Sequence, residues 1–443
     1  MSSLIKSLRR EWAFMCRQRY ILLLLLCSIV VSGFAVVSGI NEVNEQHATI
    51  ERLKVADEID RQDAQHKHDD FGMLAYYTFH LTYLPPSNLA FAALGERDVF
   101  PWKHRVRMLA LEGQIYESDT SNAELAQIGK FDFVFVISAL APLFIILLFH
   151  DLFANERANG RFDLLVTTAH SPISLWGARS IVRFGSLFVG LLLPFWIGAN
   201  ISGTAATDVF IVTFACFVYL VLWTLLSIWW GRNATNSPWV ASGLMGVWVL
   251  FAFIIPILGD LAINQSTHAP KGGDIVMVQR EAVNDAWDLP VTTTMDAFVA
   301  THPQWQDYTE TNSMFEWKWY YAFQQVGDQK AAPLAQAYQQ AAKNKYDLAG
   351  FVSLLSPPLL LQRVLTRAAN TDALAAFEYE TQIRKFHEQL RHFYYPPLFK
   401  MHELEASQSG DKELKQRLLD TMPKFEDVMQ GQVSKTDTVS NTN

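Results

Sequence analysis

Five blocks of the chain are almost continuously apolar, and long polar stretches separate them. They lie at about 20–40, 132–153, 181–200, 209–230 and 238–263. Each holds the roughly 20 mainly apolar residues that a helix needs to cross ~30 Å of hydrocarbon. In lipid each must be helical, because no water is there to satisfy the backbone. Residues 348–366 form a sixth candidate. That stretch is short, carries Pro357-Pro358 near its centre and runs into Gln362-Arg363. It reads better as an interfacial or buried segment. Were it a span, the chain after it would change sides.

The polar stretches are too long to be connectors. Residues 41–131 open with a helix-friendly run from Asn41 to Asp70, which could continue the first apolar helix. An aromatic stretch from Phe71 to Phe100 follows, broken by Pro85-Pro86. In residues 264–403, Ser266 to Asn312 is mixed, with Gly and Pro punctuation that predicts little regular structure. Ser313 to Tyr346 reads as helix. Asp372 to Phe393 is strongly helical, with Asp372 as N-cap and Leu374, Phe377, Ile383, Phe386, Leu390 and Phe393 at near-helical spacing. Residues 404–443 are polar and are expected to form a disordered tail.

Charge then orients the pattern. The 443 residues carry a formal charge of -8 and are 50% apolar, averages that hide the five blocks. Lys6, Arg9, Arg10, Arg17 and Arg19 precede the first block, which places segment 1–19 in the cytoplasm. Segment 154–180 carries Arg157, Arg161 and Arg179, with Arg183 just beyond, and the turn before the fifth block carries Arg232. The turn Ile201–Asp208 has no Lys or Arg. One topology satisfies all of these: N-terminus and 154–180 inside, 41–131 and 264–403 outside. Trp229, Trp230 and Trp239 suit an interfacial belt. A cleaved signal peptide is the rival for the first block, but the apolar run continues past Gly33-Phe-Ala35, which favours an uncleaved anchor.

Motifs that carry chemistry are largely absent. Cys16, Cys27 and Cys216 lie in or beside apolar blocks and imply neither disulfides nor a metal site. No phosphate-binding loop G-x-x-x-x-G-K-[ST] occurs, and Lys271-Gly-Gly-Asp274 lacks its spacing. His387 and His392 are five residues apart, about 140° around a helix, so they do not form the i, i+4 pair of a zinc protease. His66-x-His68 suits a solvated surface better than a metal site. No basic patch with interleaved aromatics suggests nucleic acid. Within the blocks, ionisable residues are almost absent. Asp260 and Arg183 lie at block ends, from which both are expected to reach the interface. Energy for any transport would therefore enter from outside the bilayer.

The segment Asn155–Ile173 is the best entry point. Phe162, Leu164, Leu165 and Val166 are apolar among polar neighbours, Gly160 permits a bend, and Pro172 terminates what precedes it. Glu156-Arg157, Gly160, Leu164-Leu165 and Ser171-Pro172-Ile173 resemble the E-R-x-x-G-T-L-x-x-L-L-x-x-P-I-S pattern of type-2 ABC exporter permeases. Arg161-Phe162 departs from it, where Thr or Ser and then Leu are common. The resemblance implies that Glu156, Arg157, Gly160, Arg161, Leu164, Leu165 and Pro172 couple the chain to an ATP-binding subunit.

The long insert after the first block resembles the subgroup labelled multicopper-enzyme-maturation permeases. Leu355-Ser356-Pro357, Thr371-Asp372 and Phe377 are similar to its L-S-P … G-T-D … F signature, with Asn370 in place of the glycine. The expected fold is an α-helical membrane protein with five transmembrane helices, or six, and large, mainly helical extracytoplasmic domains. The expected role is the permease subunit of an exporter in a bacterial inner membrane. Its partners would be ATPase subunits that hold the ATP and Mg, a second permease chain (different or identical), the lipid bilayer and an extracytoplasmic partner, with no nucleic acid. The chain itself would carry no cofactor and no catalytic residue.

Overall fold

The computed structural model describes residues 2–116, 131–168, 172–400 and 419–429, and these are mostly helical. Among them five helices are long and apolar enough to cross a membrane. A short helix α1 (Ser2–Met15) precedes α2 (Arg19–Lys67), which runs unbroken for 49 residues. The apolar start of α2 and the polar run after Asn41 are thus one helix. Helix α3 (Phe71–Tyr77) and an antiparallel pair, β1 (His80–Tyr83) and β2 (Lys103–Val106), follow, with His80 opposite Val106 and Tyr83 opposite Lys103. Then come α4 (Leu111–Tyr116), α5 (133–149), α6 (Ala154–Ala158), α7 (Phe162–Thr168), α8 (Pro172–Ile201), α9 (Ala206–Gly231) and α10 (Ser237–Ser266).

The stretch expected to be irregular after Ser266 is instead helical: α11 (Gly272–Asp288), α12 (Val291–Val299) and a 3-10 turn (Pro303–Tyr308). The Gly and Pro punctuation marks helix starts rather than a loop. Asp274 accepts from the Lys271 amide at 3.1 Å to cap α11, and Pro290 stands immediately before α12. Helices α13 (Trp317–Leu355), α14 (Pro357–Ala368) and α15 (Ala373–Phe399) complete the main body. Asp372 caps α15, accepting from the Ala375 amide at 3.2 Å.

Among the described residues two large hydrophobic cores form, with a small third cluster of Ile275, Ala331 and Ala335 between α11 and α13. One joins α2, α5, α8, α9 and α10 around Ile21, Val36, Phe133, Phe149, Phe195 and Trp223. The other draws on both polar stretches: Phe71, Leu81 and Val106 pack with Phe298, Phe323 and Phe386. Segments 41–131 and 264–403, expected as separate domains, therefore share one interior. Part of the expected disordered tail also belongs to it. Within residues 419–429, Phe425 is buried against Tyr83, Tyr379 and Phe386. The rest of 404–443 lies outside the described residues.

The stretch 348–366, expected as an interfacial or buried segment, is split at Ser356 between the end of α13 and α14, and it is not among the five helices long and apolar enough to cross a membrane. It is an elbow that enters the apolar bundle and turns back. The end of α13 runs antiparallel to α10: Lys345 bonds Asn264 at 2.8 Å, Val352 lies against Gly259, and Ser356 bonds the Phe251 carbonyl at 2.7 Å. A Cβ on Gly259 would sit 2.4 Å from Val352 Cγ1, so only glycine permits this approach. The chain reverses at Ser356-Pro357, and α14 places Leu361, Leu365 and Ala369 in the bundle core.

The elbow meets two π-helical turns, Val136–Leu140 in α5 and Leu250–Ile254 in α10. Each is followed two residues later by a proline, Pro142 or Pro256. In the second turn the Ile255 amide donates to Leu250, and Pro256 has no N–H to offer, so the Phe251 carbonyl lacks a helical donor. The Ser356 hydroxyl supplies one. In the first turn the Ser138 carbonyl accepts from Tyr219 and the Ala139 carbonyl from Trp248. Buried polar backbone is satisfied by side chains from neighbouring helices.

Candidate functional site

At the end of the bundle remote from the second core, α5 turns through residues 150–153 into α6. A left-handed C-cap closes α6: Gly160 has φ +64°, its amide donates to Arg157 O at 2.9 Å, and the Arg161 amide donates to Glu156 O at 2.9 Å. This is a Schellman closure. No atom lies within 4 Å of a Cβ built on Gly160, so the backbone angle and not space demands glycine.

Glu156 is the centre of a buried ion network. It is 7% exposed, and its carboxylate accepts from Arg179 Nη1 and Arg161 Nε, each at 3.0 Å. Arg179 also donates through Nε to Glu11 of α1 at 3.0 Å, and Arg10 flanks Glu11 at 3.3 Å. The Arg179 guanidinium lies over Phe14 and Trp176, 5.3 and 5.1 Å from the ring centres. Two carboxylates thus bracket one guanidinium, and three arginines serve the pair. Glu11, Glu156 and Arg179 are buried whereas Arg10 and Arg161 are exposed, so it is removal of one of the buried three that leaves an uncompensated charge and costs on the order of 3–5 kcal/mol.

Arg157 ties the same hairpin to the turn before α10. Its guanidinium donates to Ala234 O at 2.8 Å and to Arg232 O, and lies 4.2 Å over the Phe162 ring. Phe162 in turn stacks on Trp176 at 5.7 Å. The departure at Arg161-Phe162 is therefore structurally integrated: Arg161 pairs with Glu156 and Phe162 joins the Arg157–Trp176 stack. A second pair lies deeper. Arg183 is buried, not extended towards an interface as expected, and it binds Asp151 at 3.1 Å and the Leu148 carbonyl. Tyr20 donates to the other Asp151 oxygen at 3.0 Å.

Glu156, Arg157, Gly160 and Arg161 thus form one cluster. Helix α7 buries none of its residues, and Leu164 is 63% exposed, with Asp163, Thr167 and Thr168 exposed around it and Leu165 half-buried. Pro172 opens α8, while Ser171 lies outside the described residues. Sequence reasoning missed Glu11, Arg179 and Asp151 as partners. Arg179 and Arg183, one helical turn apart at the start of an apolar block, were the available signal, because buried guanidinium groups require acids.

Elsewhere the candidate ligands stand apart. His387 is buried, placed between the Arg107 carbonyl and Arg391, whereas His392 is exposed. His66 is exposed, and His68 stacks on Tyr77. Among the described residues no group of three or more His, Cys, Asp or Glu is placed to hold a metal ion. Asp260 is exposed.

Residues 275–426 match the model of a family described as a domain of unknown function, DUF3526. The match covers most of the second polar stretch, including the elbow and Phe425. No curated protein and no solved structure matches the chain.

Proposed function

We propose that this chain is the membrane subunit of an ATP-driven exporter in a bacterial inner membrane, and that α6–α7 is where a separate ATPase subunit engages it. The observation that carries this reading is the Glu156 network. It fastens a short hairpin to α1, α8 and the turn before α10 at once, yet leaves the face around Leu164 open. Force applied to that face would reach α1, α8 and the turn before α10 through the Glu156 and Arg157 contacts. The basic flanks support a cytoplasmic position for the hairpin, with the second core on the opposite side. The exposed apolar faces of α9 and α10, with Phe210, Phe214, Ile257 and Leu258, suit lipid or a second permease chain.

The test separates docking from folding. Leu164→Asp, in the full chain co-expressed with an ABC ATPase from the same operon, should lower coupled ATPase activity at least about tenfold, some 1.4 kcal/mol of lost coupling. Membrane insertion and thermal unfolding should be unchanged. Full activity in that variant, or failure of any ATPase to co-purify with the parent chain, would remove the proposal.

One observation favours a second reading, in which the complex works on an extracytoplasmic partner and moves no solute. Helix α2 passes from one core to the other without a break, and the elbow of α13–α14 enters the bundle from the opposite body. Both tie the two bodies together mechanically. A sensor or scaffold without an ATPase is the reading left if no ATPase binds.

A further inference from the structure

An open apolar groove of about 450 Å3 runs between α1 and the first half of α8. Ile5, Leu8 and Trp12 form one wall, and Ile181, Val182 and Gly185 the other. Two contacts fix α1 against α8 beside it: Glu11 bonds Arg179 at 3.0 Å, and the Ser186 hydroxyl lies 3.8 Å from the Met15 sulfur. Gly185 leaves part of the groove empty, since no atom lies within 4 Å of a Cβ built there. The apolar surface continues along α8. Ile181, Val189, Leu193 and Ile197 are exposed and, with Gly185, recur every fourth residue, which puts them along one face. From Gly185 to Ile197 is roughly 18 Å at ~1.5 Å per residue, enough to cross one leaflet of a hydrocarbon core ~30 Å thick.

The mouth of the groove is positive. Arg9 lines it and Lys6 lies one turn away on α1; both are exposed, and the lining holds no acid. Glu11 is the one acid in residues 1–41, and Arg179 and Arg10 engage it. Asp151 and Glu156 of the neighbouring network are taken by Arg183, Arg179 and Arg161. Arg9 and Lys6 thus have no carboxylate partner among the described residues. Arg17 and Arg19, exposed just past α1, add charge of the same sign. Exposed Ile5, Trp12 and Phe14 on the same basic helix suit a membrane surface. An apolar channel one leaflet long with a cationic mouth fits a hydrocarbon tail and a negatively charged head. A protein surface would meet the cations but would not account for the stripe that runs on to Ile197.

We propose that the groove between α1 and α8 binds an anionic phospholipid, its phosphate head at Arg9 and Lys6 and one acyl chain along Gly185, Val189 and Leu193. A lipid seated there lies against the helix whose Glu11 bonds Arg179, so it bears on the same ion network that holds the α6–α7 hairpin. Its place in the inner leaflet rests on the membrane reading above, whereas the match of head and tail to the groove does not.

The experiment uses the full chain, without ATPase, in phosphatidylcholine nanodiscs that contain one of two photoreactive lipids with identical acyl chains: a phosphatidylglycerol or a phosphatidylcholine. The phosphatidylglycerol probe should label peptides from 5–15 and 181–197 at least about tenfold more than the phosphatidylcholine probe. Replacing both cations, Lys6→Gln with Arg9→Gln, should bring the two probes level. Gly185→Leu, which fills the groove, should cut phosphatidylglycerol labelling about tenfold, and thermal unfolding should be unchanged in both variants. If Gly185→Leu does not fold, the charge variant decides alone. Equal labelling of the parent chain by both probes, or undiminished labelling in a folded variant, would overturn the assignment. So would displacement of the probe by soluble glycerol phosphate, because the site would then need no tail. Equal labelling with ATPase coupling retained would sink this site and leave the exporter reading standing. Selective labelling with no ATPase co-purifying would keep the lipid site and remove the exporter.

Discussion

Glu156 is expected from the sequence to be a docking residue, and in the structure its carboxylate also holds the hairpin in place through Arg179 and Arg161. The two roles predict different energetics. In a double-mutant cycle with Glu156→Gln and Arg179→Met, unfolding in detergent should show a coupling energy of about 1–3 kcal/mol between the two positions. A coupling below about 0.5 kcal/mol, within the additivity of independent sites, would mean that the buried pair does not hold the hairpin. Leu164→Asp should leave that unfolding unaltered. The motif residues were legible because their types are unusual beside an apolar block. Their partners were not, because Glu11 and Arg179 are 168 positions apart and only the fold joins them. Asn370 shows how the fold can account for a departure from a motif. Its φ is +54°, a left-handed conformation that asparagine adopts more readily than most residues other than glycine, so it can stand where the signature it resembles has Gly.

Helices explain why the elbow was ambiguous. Hydrophobic periodicity places 348–366 in apolar surroundings but does not say how the chain enters and leaves them. The turn is encoded by Ser356-Pro357-Pro358, where the serine caps α14 and proline occupies its first position. What the pattern hid was the second use of the Ser356 hydroxyl, as donor to the Phe251 carbonyl. Ser356→Ala should cost about 1–3 kcal/mol in unfolding, because that carbonyl is left without a donor in an apolar interior. A loss well under 1 kcal/mol would show that water or a rearranged turn takes over. Likewise, Gly and Pro between 266 and 312 look like breaks in the sequence, yet they mark where α11 and α12 begin. Composition locates punctuation, and capping geometry decides whether a helix follows it.

The second core brings together residues from both polar stretches, and no local pattern foretold that. It also sets a pH response. His80, His104 and His387 lie inside it. Burial pushes His104 down to about 4 and His387 to about 3, and His80 also falls well below its usual value. For His387 the neighbouring Arg391 adds to the effect, because a second ring proton would face a guanidinium. A depressed histidine contributes stability that is present above its unfolded value near 6.5 and lost as pH falls towards the folded value. Asp328 works in the opposite sense. Burial raises it to about 7, so its contribution is lost as pH rises from about 4 to 7. Comparison with a variant isolates one group. Between pH 6.5 and 4.5, His387→Gln should flatten the fall in unfolding free energy by up to about 1.4 kcal/mol per pH unit. Parallel curves for parent and variant would show that His387 is not the titrating group.

The unbroken length of α2 has one more consequence. From the middle of its apolar part to Lys67 is roughly 55 Å at ~1.5 Å per residue, so a rotation of about 10° there would swing the far end by roughly 10 Å. The helix is a lever whose long arm lies in the second core. A displacement too small to open the bundle would be amplified where Arg105 grips Asp60 and where Lys424 grips Glu58.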